Sequence, residues 1–187
     1  MRPNKLSYYS DFVVYPAVIA ALTVVGVADA TWAERGEWLC AGMAGFVFWT
    51  LVEYVLHRSV LHSRTYFAPM HAQHHASPLA FLGTPPWISV PVLGATVLAP
   101  GWWFLGFNVA DGLTAGVTLG YWWYGVVHHI IHHHYNSSSP SYFNKLRAWH
   151  MRHHYSPKSG NFGVTTPVWD YVFGTVIHVH DKAVVSP

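Results

Sequence analysis

The chain has 187 residues, enough for one compact domain or one small helical bundle and with little room for a separate cofactor domain beside it. Apolar residues make up 52% and charged residues only 10%, against roughly 25% charged in soluble chains, so the composition is that of a membrane protein. A net charge of +2 on scattered basic residues excludes a nucleic-acid stripe, and the single Cys40 excludes a disulfide framework and a thiolate zinc site.

The first apolar run, Phe12 to Ala28, has 17 uncharged residues, close to the ~20 that carry a helix across a bilayer. Arg2, Lys5 and Ala28-Asp29-Ala30 lend it features of a cleaved leader. Its length exceeds the ~7–15 residues of a leader's apolar core, so it is read as a span. Trp38 to Leu56 is a second run, of 19 residues, interrupted only by Glu53, which lies one helical turn before His57 on the same face. Trp87 to Phe107 is a third, broken by Pro91, Pro100 and several glycines, and is expected to be kinked or divided. Leu113 to Val127 is a fourth, and Gly112, Gly116 and Gly120 form a stripe along it that lets another helix approach closely. Residues 136–144, NSSSPSYFN, read as a loop. Nine of the ten Lys and Arg lie outside the connection from Asp29 to Glu37, where Arg35 is alone, so both termini are expected to be cytoplasmic. With four spans, residues 57–86 and the tail from about 128 come to that same side.

Fifteen histidines begin only at residue 57, and the spacing His-x-x-His-His occurs twice, at His71, His74, His75 and at His150, His153, His154. A helix sets positions i, i+3 and i+4 on one face, so each motif is a face of three imidazoles. His128 and His132 add a pair at i and i+4, and His129 and His133 offer the same spacing. His57 and His62 add two more if a helix end or bend lies between them. Ten candidate ligands from four segments exceed what one four- to six-coordinate ion uses, so two metals are expected; imidazole suits zinc, iron, copper or nickel. The remaining His129, His133, His134, His178 and His180 are read as interfacial or packed side chains. There is no His-Glu-x-x-His, Gly-x-Ser-x-Gly, P-loop or dinucleotide fingerprint. Only three Glu are present, too few for the Glu-rich ligand set of soluble di-iron bundles.

Four segments, in order, carry a resemblance: EYVLHRSVLH, MHAQHH, GYWWYGVVHHIIHH and LRAWHMRHHYSPKSGNFGVTTPVWDYVFGT. Over about residues 45–177 the chain resembles the fatty acid hydroxylase superfamily of membrane di-iron enzymes, and its last two segments are most similar to the fatty acid 2-hydroxylases. The resemblance implies metal ligation by His57, His62, His71, His74, His75, His128, His132, His150, His153 and His154. It further implies two iron ions, with zinc able to replace them on purification, and dioxygen as co-substrate. Departures are the extra histidines 129, 133 and 134 and the lack of the haem-binding cytochrome domain that eukaryotic fatty acid 2-hydroxylases carry in front.

The reading is an all-α integral membrane enzyme, one domain over 1–187, with about four spans under a cytoplasmic cap that holds a polyhistidine dimetal site. It belongs in the cytoplasmic membrane of a bacterium or the endoplasmic reticulum of a eukaryote. The reaction is expected to be oxygen-dependent hydroxylation of a fatty acyl chain at carbon 2, the alternatives being a sterol or carotenoid oxygenase or desaturase of the same superfamily and a non-catalytic metal-binding membrane protein. Electrons are expected from an external ferredoxin-like protein or a cytochrome with its reductase, steered by Lys145, Arg147, Arg152 and Lys158, side chains that equally suit anionic lipid headgroups. Glu53 and Asp170 are candidates for carboxylates that offset metal charge near the site, or else for a helix-end contact and a turn or cap.

Overall fold

A computed structural model describes residues 4–134 and 142–178, and these are helical with no strand among them. The helices are α1 (Lys5–Val27), α2 (Trp32–Leu56), α3 (Ala68–Ala76), α4 (Pro86–Leu93), α5 (Ala99–Leu105), α6 (Phe107–His133), α7 (Tyr142–Tyr155) and α8 (Val168–Val172). Wider π-helical turns follow α2, at His57–Leu61, and join α4 to α5, at Gly94–Leu98. Three stretches among the described residues are long and apolar enough to cross a membrane: Lys5–Val27, Trp32–Leu61 and Pro86–Leu105. The third is divided as its prolines and glycines suggested. The expected fourth, Leu113 to Val127, lies wholly inside α6 but is not one of these three.

The chain divides into two compact units, Met1–Trp49 with Phe81–Gly125 and Thr50–Ala80 with Val126–Pro187. In the first, Asn4 caps α1 by accepting from the backbone N–H of Leu6 and Ser7. The glycine stripe packs as its spacing suggests: a methyl group on Gly112 would run into the backbone of Trp38, and one on Gly116 into the backbone of Gly42. The indole of Trp38 donates to Asp111 Oδ2 at 2.6 Å. Val13 and Val24 of α1 and Trp103 and Phe104 of α5 face outward, the polarity of helices solvated by lipid.

The second unit holds the π turn, α3, the end of α6, α7, α8 and the segment between α7 and α8. Residues 142–144, expected in a loop, form the first turn of α7. Tyr142 is held there by a hydrogen bond from its hydroxyl to the carbonyl of Thr165 at 2.7 Å. The remainder of that loop falls on residues 135–141, and His180 on residues 179–187, outside the described residues. His178 is exposed.

Candidate metal centre

All ten histidines singled out from the spacing lie in the second unit, and they gather into two groups that can each hold a metal ion. His57, His62, His71, His75 and His153 form the first group; His74, His128, His132, His150 and His154 form the second. Within each group the ligand nitrogens all lie within 4.8 Å of one another. Each His-x-x-His-His motif is divided between the groups. In α3 the i and i+4 residues His71 and His75 enter the first group and His74 the second; in α7 His150 and His154 enter the second and His153 the first. Residues i and i+4 lie one above the other on a helix, whereas i+3 is offset to the side, so one helix edge serves both groups.

The other two pairs arrive by different local structure. His128 and His132 stand one α-turn apart near the end of α6. His57 and His62 are five residues apart, and the wider turn that closes with the His62 N–H on the His57 carbonyl brings them together, their ring centroids 5.2 Å apart. His129 and His133, on another side of α6, and His134, just past its end, enter neither group; the His129 and His133 rings stack at 4.7 Å.

The geometry fits metal cations. In the first group Nε2 atoms meet at 3.1 Å (His57 and His71), 2.9 Å (His62 and His71), 3.0 Å (His71 and His75), 3.0 Å (His62 and His153) and 3.1 Å (His75 and His153). A cation bound by imidazoles at about 2.0–2.1 Å would set neighbouring nitrogens about 2.8–3.4 Å apart, depending on the angle between them, and the separations here fall in that range. Tautomers give the same answer. His57 Nδ1 lies 2.5 Å from the Phe162 carbonyl oxygen and His153 Nδ1 2.8 Å from that of Gly160. A carbonyl cannot donate, so both protons are on Nδ1 and both Nε2 atoms are bare lone pairs aimed at one point. In the second group Nε2 atoms meet at 3.1 Å (His132 and His150) and 3.0 Å (His150 and His154), while His74 Nε2 is buried without a hydrogen-bond partner.

Burial, reinforced by neighbouring imidazoles, holds His71 down to about 2 and His74 and His75 down to about 4. His153 is held at about 3 by burial above all, against a raising contribution from the Gly160 carbonyl. The cluster is therefore neutral at pH 7, the state in which imidazole binds metal.

Neither carboxylate anticipated near the site enters a group; both are buried and grip one short stretch of backbone. Asp170 Oδ1 accepts from the Phe162 N–H (2.8 Å) and the Thr175 hydroxyl (2.7 Å), and Oδ2 accepts from the Gly163 N–H (2.9 Å) and the Trp149 indole (3.3 Å). Glu53 Oε1 accepts from the N–H groups of Val164 (2.7 Å) and Thr165 (2.9 Å), and Oε2 from the Thr165 hydroxyl (2.6 Å). The run Gly160-Asn161-Phe162-Gly163 suits that grip. Asn161 takes a left-handed φ of 54°, and its side chain bonds the Trp149 carbonyl and the Ile177 N–H. A methyl group on Gly160 would strike the Thr175 carbonyl, and one on Gly163 the Thr166 carbonyl. These backbone partners of the imidazoles were not foreseen; the NFG run beside the second His-x-x-His-His motif was their only trace in the sequence.

The family profile described as fatty acid hydroxylase matches residues 42–175. The chain is similar to the fatty acid 2-hydroxylase of Mus musculus, 34% identical over 146 residues that make up 71% of this chain and 38% of that protein. It is also similar to a dihydroceramide fatty acyl 2-hydroxylase of Arabidopsis thaliana, 29% identical over 86% of this chain and 69% of that one. A ceramide very long chain fatty acid hydroxylase of Saccharomyces cerevisiae is 34% identical over 71% of this chain and 37% of its own length. The chain thus spans well under half the length of the mammalian and yeast relatives it matches. Among solved structures, full-length scs7p, in which only the hydroxylase domain is visible, superposes with a TM-score of 0.75 at 25% identity, covering 97% of this chain and 70% of that one.

Proposed function

The chain belongs to the fatty acid hydroxylase family, and from that premise we propose that it is a membrane oxygenase that hydroxylates a fatty acyl chain at carbon 2, its ten grouped imidazoles holding two iron ions. The observation that carries this reading is the convergence of five neutral imidazoles on each of two points. Five nitrogens exceed the four that close a structural zinc site and leave a six-coordinate ion one place the protein does not fill. The metals, when bound, would supply the activation of dioxygen that an unreactive C–H bond requires. The protein's own contribution is to hold the nitrogens fixed, keep their protons on the outward Nδ1 atoms of His57 and His153, and bury the cluster.

The 2-hydroxylase names of the relatives support carbon 2 and an acyl or ceramide substrate. The outward apolar faces of the spans suit a substrate delivered from the bilayer, and we place the metal groups on the cytoplasmic side from the distribution of Lys and Arg. Transfer of one oxygen atom to carbon, with the other leaving as water, takes two electrons and two protons per turnover, assigned here to a ferredoxin-like protein or a cytochrome with its reductase. Lys145 and Lys158 are exposed on the segments that carry the last histidines, whereas Arg147 is half-buried and donates to the Ile131 carbonyl.

The test is incorporation of heavy oxygen. Iron-loaded protein in membranes, given ceramide or fatty acyl substrate, a reductase chain and ¹⁸O₂, is expected to yield a 2-hydroxylated acyl chain bearing one ¹⁸O, at most about one product per protein without the reductase. Metal-loaded protein giving no labelled product from any of these lipids would refute the reading.

A further inference from the structure

The two metal groups differ in what stands behind them, and we infer that Glu53 and Asp170 are positioning residues for the first group only. This rests on the reading that both groups hold metal. The chain of contact is continuous. The two carboxylates together accept the backbone N–H of four consecutive residues, Phe162, Gly163, Val164 and Thr165. The carbonyl of Phe162 fixes the His57 ring, and that of Gly160, two residues before it, fixes the His153 ring. A carboxylate at each end of the stretch thus sets where two backbone carbonyls lie, and those carbonyls set the tautomer and direction of two of the five nitrogens. Groups that hold the outer nitrogen of a ligating imidazole raise its basicity and keep its ring in place.

Two rings of the second group have no such partner on their outer nitrogen. Both His150 Nδ1 and His154 Nδ1 are buried without a hydrogen-bond partner. The first site is therefore organised before metal arrives, and the second depends more on the metal itself to align its rings. The expected result is two unequal sites, with the slowly exchanging one in the first group.

The two carboxylates also differ in how much a neutral amide would disturb them. Glutamine at 53 can still accept both backbone N–H groups through its oxygen and donate to the Thr165 hydroxyl through its nitrogen. Asparagine at 170 cannot reproduce its pattern, because each Asp170 oxygen accepts a backbone N–H and an amide nitrogen would face one of them. Asp170→Asn should thus exceed Glu53→Gln in effect, although the charge removed is the same.

The experiment is zinc release from the full chain, loaded with two zinc ions in detergent and mixed with excess chelator and a zinc indicator. Wild-type protein is expected to release zinc in two phases of equal size, and His153→Ala to remove the slow one. Asp170→Asn should speed the slow phase by about 10–100-fold, the usual weight of such a partner, and leave the fast phase unchanged. Glu53→Gln should do so by less. Thr175→Val, which removes one hydroxyl from Asp170 and no backbone contact, guards against a folding defect and is expected to give a small acceleration of the slow phase alone. Acceleration of both phases together, or of the fast phase alone, or wild-type release in every variant, would overturn the inference. Wild-type protein that binds no zinc would instead overturn the reading of the groups as metal sites.

Discussion

Set side by side, the two histidine groups are built from the same parts and finished differently. Each takes an i, i+4 pair from one His-x-x-His-His helix, a single residue from the other and a further pair from a third segment. The first delivers the ring protons of His57 and His153 to backbone carbonyls, while the second keeps His150 Nδ1 and His154 Nδ1 buried and unpartnered. The same number of ligands can therefore give sites of unequal rigidity, because ligand orientation is set one layer further out, by backbone that two carboxylates hold in place.

The largest effect should come from breaking one group at a time. His74 and His75 are neighbours in sequence but belong to different groups, so His74→Ala and His75→Ala should each reduce bound metal from two to one and abolish product formation. Elemental analysis with chelator kinetics checks this: the fast-released metal should vanish in the first variant and the slow one in the second. Loss of the same phase from both would show that the division of the motif is wrong. Gly163→Ala comes next. Its methyl group would meet the Thr166 carbonyl and approach Asp170 Oδ2, so about 1–3 kcal/mol of stability should be lost, read as a lower thermal midpoint with weakened metal retention in the first group.

Acid should affect both groups alike. In the folded apoprotein His71 sits at about 2 and His74 and His75 at about 4, below the 6.5 of an unperturbed imidazole. As pH falls below 6.5 the unfolded chain takes up protons first, so these groups make stability fall progressively, His74 and His75 between about pH 6.5 and pH 4 and His71 on down to about pH 2, and leave it intact above that window. Chemical denaturation of the apoprotein at pH 7.5 and pH 5 measures it, and equal midpoints would contradict the burial of the cluster. The smallest effect belongs to His133→Ala, which belongs to neither group. It should keep both metals and change stability by no more than about 0.5 kcal/mol; loss of a metal there would require redrawing the second group.

Much of this was legible in the residues because side chains that share a helix face leave a periodic trace. Spacing on a helix face identified the ten imidazoles that the fold brings together, and uncharged runs located the three stretches able to cross a membrane. The division of each motif between two groups was not legible, since it depends on which segments approach which edge of α3 and α7. The choice between His128 with His132 and His129 with His133 was also invisible to spacing, for both pairs repeat at i+4; a rotation of about 100° about α6 separates them. Glu53 and Asp170 were visible as acids near the histidine motifs, but their burial and their grip on residues 162–165 were not, because that grip involves backbone N–H groups, which every residue except proline carries and no sequence pattern marks.

The wide turn at His57–Leu61 bears on which length changes the chain can absorb. A π turn is an α-turn with one residue inserted, and its extra residue is why His57 and His62 share a side at a spacing of five while His128 and His132 do so at four. Deleting Ser59 should let α2 run on as ordinary helix and bring the two imidazoles to a spacing of four, still on one face. The same deletion one turn earlier, among residues 50–52, would rotate Glu53 and His57 together by about 100° relative to the helix before them. Length variation in this part of the family should therefore be confined to the turn between those two histidines, where one residue can be lost without turning either away from its neighbours.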